Sequence, residues 1–360
     1  MTEHAAKPED AALTHARTYL SLGKPADALR ALAPHLASHP DDDRGLCLAS
    51  QAHLVAGEAS RALDAAQHAA ALTPENEWAW RLVALSYSKL GHHAEARAAA
   101  ATAQSIAPQL WVTHAQVAQV DIAAKRITAE SQNAAREATR LAPLEPDAHL
   151  TVGNVALAQH DWPTAEAAFR SVLRLEPEHA AARNNLSLVM LRQGKAGSAA
   201  AGFVDILAND PDSEVAVRNL RAVAAVALRH VHFILWVAFA IVTVAFSSAG
   251  QPDESPVYGL AWSEFLGGVA LVSGIVVLVY VLRLRRAAGA RFGQFIRSVP
   301  RLDNLLTAWA ALLVADYLLM VAACFTSVHR AQLLYLLAGA VLVAGSVVVI
   351  LRRNRARVRL

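Results

Sequence analysis

The sequence predicts an all-α protein: a solenoid of about six helical hairpins followed by a four-helix transmembrane bundle. Two observations predict it. The first is a repeat: Gly23/Pro40, Gly57/Pro74, Gly91/Pro108, Arg126/Pro143, His160/Pro177 and Gly194/Pro211 each pair a turn position with a proline seventeen residues on. Successive pairs lie 34, 34, 35, 34 and 34 residues apart. A period of this length marks an array of small supersecondary units. The second is a change of character after residue 228, where four apolar runs follow at about 231–249, 265–282, 305–325 and 332–351. Each is long enough to cross a hydrocarbon core of ~30 Å as helix.

The units come first in the chain. In the third, Trp78 to Ala84 opens a helix that runs to Leu90, Gly91-His92-His93 makes the turn, and Ala94 to Ile106 forms the second helix. Pro108 ends it, because proline lacks the N–H that continuation needs. Five residues past each turn stands a small residue: Ala28, Ala62, Ala96, Ser131, Ala165 and Ala199. A small side chain there lets the paired helices approach, while Tyr19, Leu32, Tyr87, Phe169, Met190 and Phe203 fill the spaces between hairpins. Asp212 to Leu228 reads as a helix closing the stack, and no polar linker separates it from the first apolar run. The expected organisation is a disordered 1–9, a solenoid with its closing helix at 10–228, the four spans within 229–351, and a basic tail at 352–360.

Over roughly residues 8–225 these units resemble the tetratricopeptide repeat family, most closely in Gly91–Pro108 and Asp161–Pro177. Arg126 and His160 depart from the family's turn glycine, and one extra residue lies between Ala118 and Ser131. A local distortion is expected there. The resemblance implies a right-handed superhelix whose concave groove, lined by the first helix of each hairpin, binds a protein or peptide partner. By position, the groove residues are Arg17, Arg44, Gln51, Trp78, Arg81, Lys89, Gln119, Asn154, Asn184 and Arg192. Asn154 and Asn185 stand where some relatives hold a peptide's terminal carboxylate, but Leu150 replaces the lysine expected with them. Trp78 reads either as a partner anchor or as packing against the next hairpin.

Charge divides the chain. Residues 1–228 carry 20 Lys+Arg against 25 Asp+Glu, and residues 229–360 carry 13 Arg against 5 acids. The array has no basic stripe, so a nucleic-acid partner is not expected. The links between the apolar runs hold 0, 6 and 1 Lys+Arg and the tail holds 5 Arg. This pattern predicts cytoplasmic N- and C-termini in a multi-pass plasma-membrane protein. Met1–Asp10 is polar, so no cleaved signal peptide is expected. Arginine outnumbers lysine 28 to 5, which suggests a bacterial inner membrane.

Within the basic link, Phe292, Phe295, Ile296 and Val299 form an amphipathic segment at 289–300. Its expected place is among anionic headgroups, with Arg285, Arg286, Arg291, Arg297 and Arg301 as the lipid contacts. Asp316 lies deep in the third run and marks either a proton or cation site, a contact with a partner subunit, or a carboxyl bonded to Ser273, Thr243 or Ser346. Ala270/Gly274, Ala311/Ala315 and Ala340/Ala344 allow close helix packing within a chain or in a homo-oligomer.

Chemistry is sparse. The chain lacks a phosphate loop, a nucleophile elbow, an HExxH helix and a CxxC pair, so no enzyme, cofactor or metal is expected. Cys47 and Cys324 are the only cysteines, and no disulfide is expected between them. His35 and His39 share a helix face but have no third ligand. The Asp41–Asp43 run reads as a helix cap. The expected function is a membrane-anchored scaffold or adaptor. The alternative is a transporter or channel subunit with a regulatory array and Asp316 as its functional acid.

Overall fold

The structure, a computed structural model, describes residues 8–248, 256–326 and 328–358. Residues 1–7, the acidic pair Asp253/Glu254 and Arg359 lie outside the described residues. Every regular element among those described is helical. Six hairpins come first: α1 Pro8–Ser21 with α2 Pro25–Ser38, α3 Asp43–Val55 with α4 Ala59–Leu72, and α5 Glu77–Leu90 with α6 His93–Ile106. Then come α7 Trp111–Ala123 with α8 Ala129–Leu141, α9 Pro146–Ala158 with α10 Trp162–Leu175, and α11 Ala180–Arg192 with α12 Ala196–Asn209. The long helices α13 Glu214–Ser248 and α14 Pro256–Ala288 follow. A 3-10 turn at Gly289–Arg291 leads into α15 Phe292–Leu302, then α16 Asn304–Ala323 and α17 Val328–Val358. The first helix thus begins two residues inside the stretch expected to be disordered.

The chain forms two compact units, Met1–Ala182 and Arg183–Leu360. In the first, each hairpin packs on the next, and the leading helices also meet in series, α1 on α3, α3 on α5, α5 on α7 and α7 on α9. Small residues make this possible: Ala28, Ala62, Ala96, Ser131 and Ala165 have no exposed surface. Gly153 of α9 lies so close to Phe169 of α10 that a Cβ would stand 2.4 Å from the ring.

The turns explain both departures from glycine. Gly23, Gly57 and Gly91 take positive φ, and Lys125 (φ 54) and His160 (φ 62) take it in the next two hairpins. The residue at the glycine position is therefore Lys125, not Arg126. Its backbone N–H donates to Ile122 O and that of Arg126 to Asp121 O, which closes the turn with the chain reversed at Lys125. The extra residue falls after it, in the longer approach to α8. There Thr128 and Ser131 cap each other's backbone groups, and Ser131 Oγ donates to the buried Asp121 carboxylate at 2.6 Å. Arg97 donates to the same carboxylate at 2.9 Å and to Glu130 at 2.6 Å. The distortion expected at this point is absorbed by a polar network that ties α6, α7 and α8.

A second recurrent device ties loop to helix. Trp80, His114 and His149 each stand six residues past a proline and donate a ring N–H to its carbonyl, at 2.9, 2.8 and 2.9 Å. Because His114 Nε2 donates, its Nδ1 accepts, and Gln104 supplies the hydrogen at 2.8 Å.

In the second unit the sixth hairpin is built into the long helices rather than standing apart from them. α12 packs on α13, α14 and α15. At Gly197 a Cβ would meet Leu284 O at 2.7 Å and Ala287 Cβ at 2.5 Å, so glycine lets α12 lie against the backbone of α14. Arg221 Nε donates to Leu302 O at 2.7 Å. The boundary drawn from sequence at residue 228 therefore falls inside this unit, in the middle of α13. That helix runs unbroken from the stack-closing segment into the first apolar run.

Four helices of this unit are long and apolar enough to cross a membrane, over Glu214–Ala245, Trp262–Leu302, Asn304–Ala323 and Arg330–Leu351. The second of these stretches includes α15. His232 ties three of the four together. Its Nε2 lies 3.1 Å from Ser346 Oγ and 2.9 Å from the Trp236 indole nitrogen, and its Nδ1 accepts the Trp309 indole N–H at 3.3 Å.

Candidate functional site: the concave trough

Helix α5 supplies most of the site. Asn76 caps it by accepting the N–H groups of Trp78 and Ala79 at 3.0 and 3.3 Å. The Asn76 Nδ2 group donates to Asp43 Oδ2 at 3.0 Å, which sets the start of α5 against the start of α3. Asp42 caps α3 by the same logic, as the acidic run implied. From that fixed start, Trp78, Arg81, Leu82, Leu85 and Lys89 fall at i, i+3, i+4, i+7 and i+11, one face of a helix. Gln51, Leu54 and Val55 of α3 face them, and Gln116 of α7 closes the far side. Together these residues line an open trough of about 320 Å³.

Four residues assigned to the groove from sequence, Gln51, Trp78, Arg81 and Lys89, meet here. Of the two readings of Trp78, the structure shows the packing, and it leaves part of the side chain facing the trough. Its ring packs against the cluster of Leu48, Ala49 and Ala52 and also forms part of the trough wall. Arg17, Arg44 and Gln119 are exposed and do not line the trough. Asn154 lies on α9 and is half-buried. Asn184 and Arg192 belong to the second unit, where Asn184 exchanges side-chain hydrogen bonds with Asn185 and Asn219, at 3.2 and 3.0 Å. Gln116 was missed, although it stands 34 residues after Leu82 and so at the equivalent position of the next hairpin.

The trough is electrostatically one-sided. Its lining includes two cations and no acid. Arg81 is largely covered, and burial lowers its pKa, only partly offset by Glu77. Glu77 reaches a single guanidinium nitrogen at 3.6 Å, and the buried Arg81 Nε has no hydrogen-bond partner. Lys89 stands exposed at the trough's other end. Nearby Cys47 is fully buried. Burial, and then the carboxylates of Asp43, Glu77 and Asp42, push its thiol up to about 12, so it is an inert packing group.

In the second unit, the apolar face of the amphipathic segment is covered by protein. Phe295 is 2% exposed and, with Phe292 and Val299, packs into the cluster of Ala199, Phe203 and Leu220. Only Ile296 turns outward. Arg291 forms an ion pair with Asp205 of α12, whereas Arg285, Arg286, Arg297 and Arg301 are exposed. Asp316 is wholly buried, and neither carboxylate oxygen has a hydrogen-bond partner. The hydroxyls offered for it are engaged elsewhere: Ser273 to Ala270 O, Thr243 to Phe239 O, and Ser346 with His232 and Leu342 O. The small pair Ala270/Gly274 is used within the chain, since Tyr317 of α16 covers Gly274 and donates to Ala270 O at 3.2 Å. His35 donates to Asp42 at 2.7 Å and stacks on His39.

Comparisons with known proteins agree with the hairpin architecture. Residues 13–77 and 150–214 match the family model of the tetratricopeptide repeat. The crystal structure of the APC/C hetero-tetramer Cut9–Hcn1 is similar over 61% of this chain and 44% of that one, at 17% identity and a TM-score of 0.53. The chain thus spans less than half of that protein's length, and the likeness is one of fold. The crystal structure of PilW, a widely conserved type IV pilus biogenesis factor, aligns over 59% of this chain and 98% of its own, at 14% identity and a TM-score of 0.49. A comparison with curated proteins gives no match. Residues 13–77 and 150–214 thus match tetratricopeptide repeats, and the array of helical hairpins has the fold of such repeats.

Proposed function

We propose that the protein is a membrane-anchored scaffold that binds a protein or peptide partner in its concave trough on the cytoplasmic side, without catalysing a reaction. The carrying observation is the trough itself. A tryptophan, leucine walls and two cations converge on a preformed surface, the composition of a binding hot spot. Two further features support the anchoring. Four helices have the length and composition to cross a membrane, and the arginines gather in the second link and the tail. In that arrangement both termini face the cytoplasm, and the exposed Arg285, Arg286, Arg297 and Arg301 lie at the level of anionic headgroups. A photoreactive amino acid placed at Trp78 in native membranes tests the reading. A discrete crosslinked protein is expected, and it disappears when the probe is moved to exposed Arg136. Equal labelling from both positions contradicts the trough as a binding surface.

One observation favours a second reading, a transport role. The Asp316 carboxyl is buried without a partner in a helix of membrane-crossing length, and such groups mark ion or proton paths. Proton or cation flux through vesicles carrying the full chain, abolished by Asp316→Asn, favours that reading over the scaffold.

A further inference from the structure

The proposed trough also specifies what fits it. Arg81 and Lys89 are eight residues apart on α5, about 12 Å along the helix at ~1.5 Å per residue. Between them the lining is apolar, from Trp78, Leu82 and Leu85 on α5 and Leu54 and Val55 on α3. A volume of about 320 Å³ is at the small end of ligand pockets, which run from ~300 to ~1,000 Å³. It holds a side chain or two, not a helix.

An extended chain rises ~3.3 Å per residue and puts every second side chain on one face. Residues four apart are therefore about 13 Å apart on the same face, with the residue midway between them pointing the same way. This matches the Arg81-to-Lys89 separation. Resting on the scaffold reading above, we infer that the trough takes an extended peptide segment of the pattern acidic–x–large apolar–x–acidic. One carboxylate pairs with Arg81, the other with Lys89, and the apolar side chain enters between Trp78 and Leu85. The carboxylate pairs with the outer nitrogens of the Arg81 guanidinium, which Glu77 approaches only to 3.6 Å, and such a charge-assisted contact is stronger than a neutral one. The two cations differ in weight. The pair at largely covered Arg81 is shielded from solvent, whereas the pair at exposed Lys89 is screened by water and salt.

The test selects from a phage library of random dodecapeptides, each joined at its C-terminus to the coat protein so that no free terminal carboxylate is offered. The target is the full chain in lipid nanodiscs. Clones enriched on the wild type and lost on Trp78→Ala are expected to carry two acidic residues four apart with Leu, Ile, Phe or Trp midway. The corresponding synthetic peptide is expected to bind Arg81→Gln about tenfold or more weakly. Lys89→Gln weakens it about two- to fivefold, a loss that shrinks at high salt. Trp78-dependent clones without the acidic spacing, or affinity indifferent to both glutamine variants, overturn this inference and leave the scaffold reading standing. Absence of any Trp78-dependent clone overturns the scaffold reading itself. Should Arg81→Gln shift the thermal midpoint, Lys89→Glu paired with a peptide whose second acid is lysine restores binding if the inference holds and fails to if it does not.

Discussion

The two units hold the same residue types in opposite places. In Met1–Ala182 the helix crossings are sealed by alanine, and large apolar side chains such as Leu32, Leu48 and Phe169 are wholly covered. In Arg183–Leu360 large apolar side chains stand outward along α13, α14 and α17, with Phe233 67%, Leu271 63% and Leu336 69% exposed. The hydrophobic effect accounts for the first arrangement in water. It opposes the second, which suits a solvent as apolar as leucine itself. Each unit reports its surroundings through which face of a helix carries the bulk. That contrast is the physical basis for the membrane anchoring we propose.

Substitutions at matched positions break or sharpen this comparison. Phe169→Ala leaves a cavity against Gly153 in the first unit and is expected to cost about 3–5 kcal/mol. Alkylation of Cys47, blocked in the folded array, measures it as an earlier exposure on heating in a Cys324→Ser background. Next in size is Leu271→Arg in the middle of α14, expected to cost about 2.5–3.5 kcal/mol of membrane insertion. It is read as loss of protein from the membrane fraction. Leu144→Arg in the array, where the residue is 80% exposed, is expected to change stability by less than about 0.5 kcal/mol. Equal effects at Leu271 and Leu144 remove the contrast. Smaller than the Phe169 and Leu271 effects is His160→Gly, which relieves a positive φ and is expected to raise the array's stability by a few tenths to about 1 kcal/mol, read as a higher midpoint of Cys47 exposure.

The hairpins were legible because their period, turn residues and small crossing residues repeat in the sequence itself. The trough was half legible. The α5 stripe follows from helical spacing and Gln116 from the 34-residue period, but that α7 closes the trough beside α5 is a tertiary fact. The turn at Lys125 was misplaced by one residue, since lysine carries no signal for positive φ and only the backbone bonds around Asp121 fix it. The amphipathic pattern of 289–300 showed that a face is covered, but periodicity does not say by what. Here α12 supplies the cover, through contacts about ninety residues away in the chain such as Asp205 with Arg291.

Protease accessibility of oriented membranes tests the central claim most directly. With the chain in sealed vesicles of both orientations, trypsin is expected to remove the array from inside-out vesicles and leave it intact in right-side-out ones. A carbonate wash is expected to leave the chain in the membrane. Digestion of the array from the outer face, or release of the chain by the wash, contradicts the account.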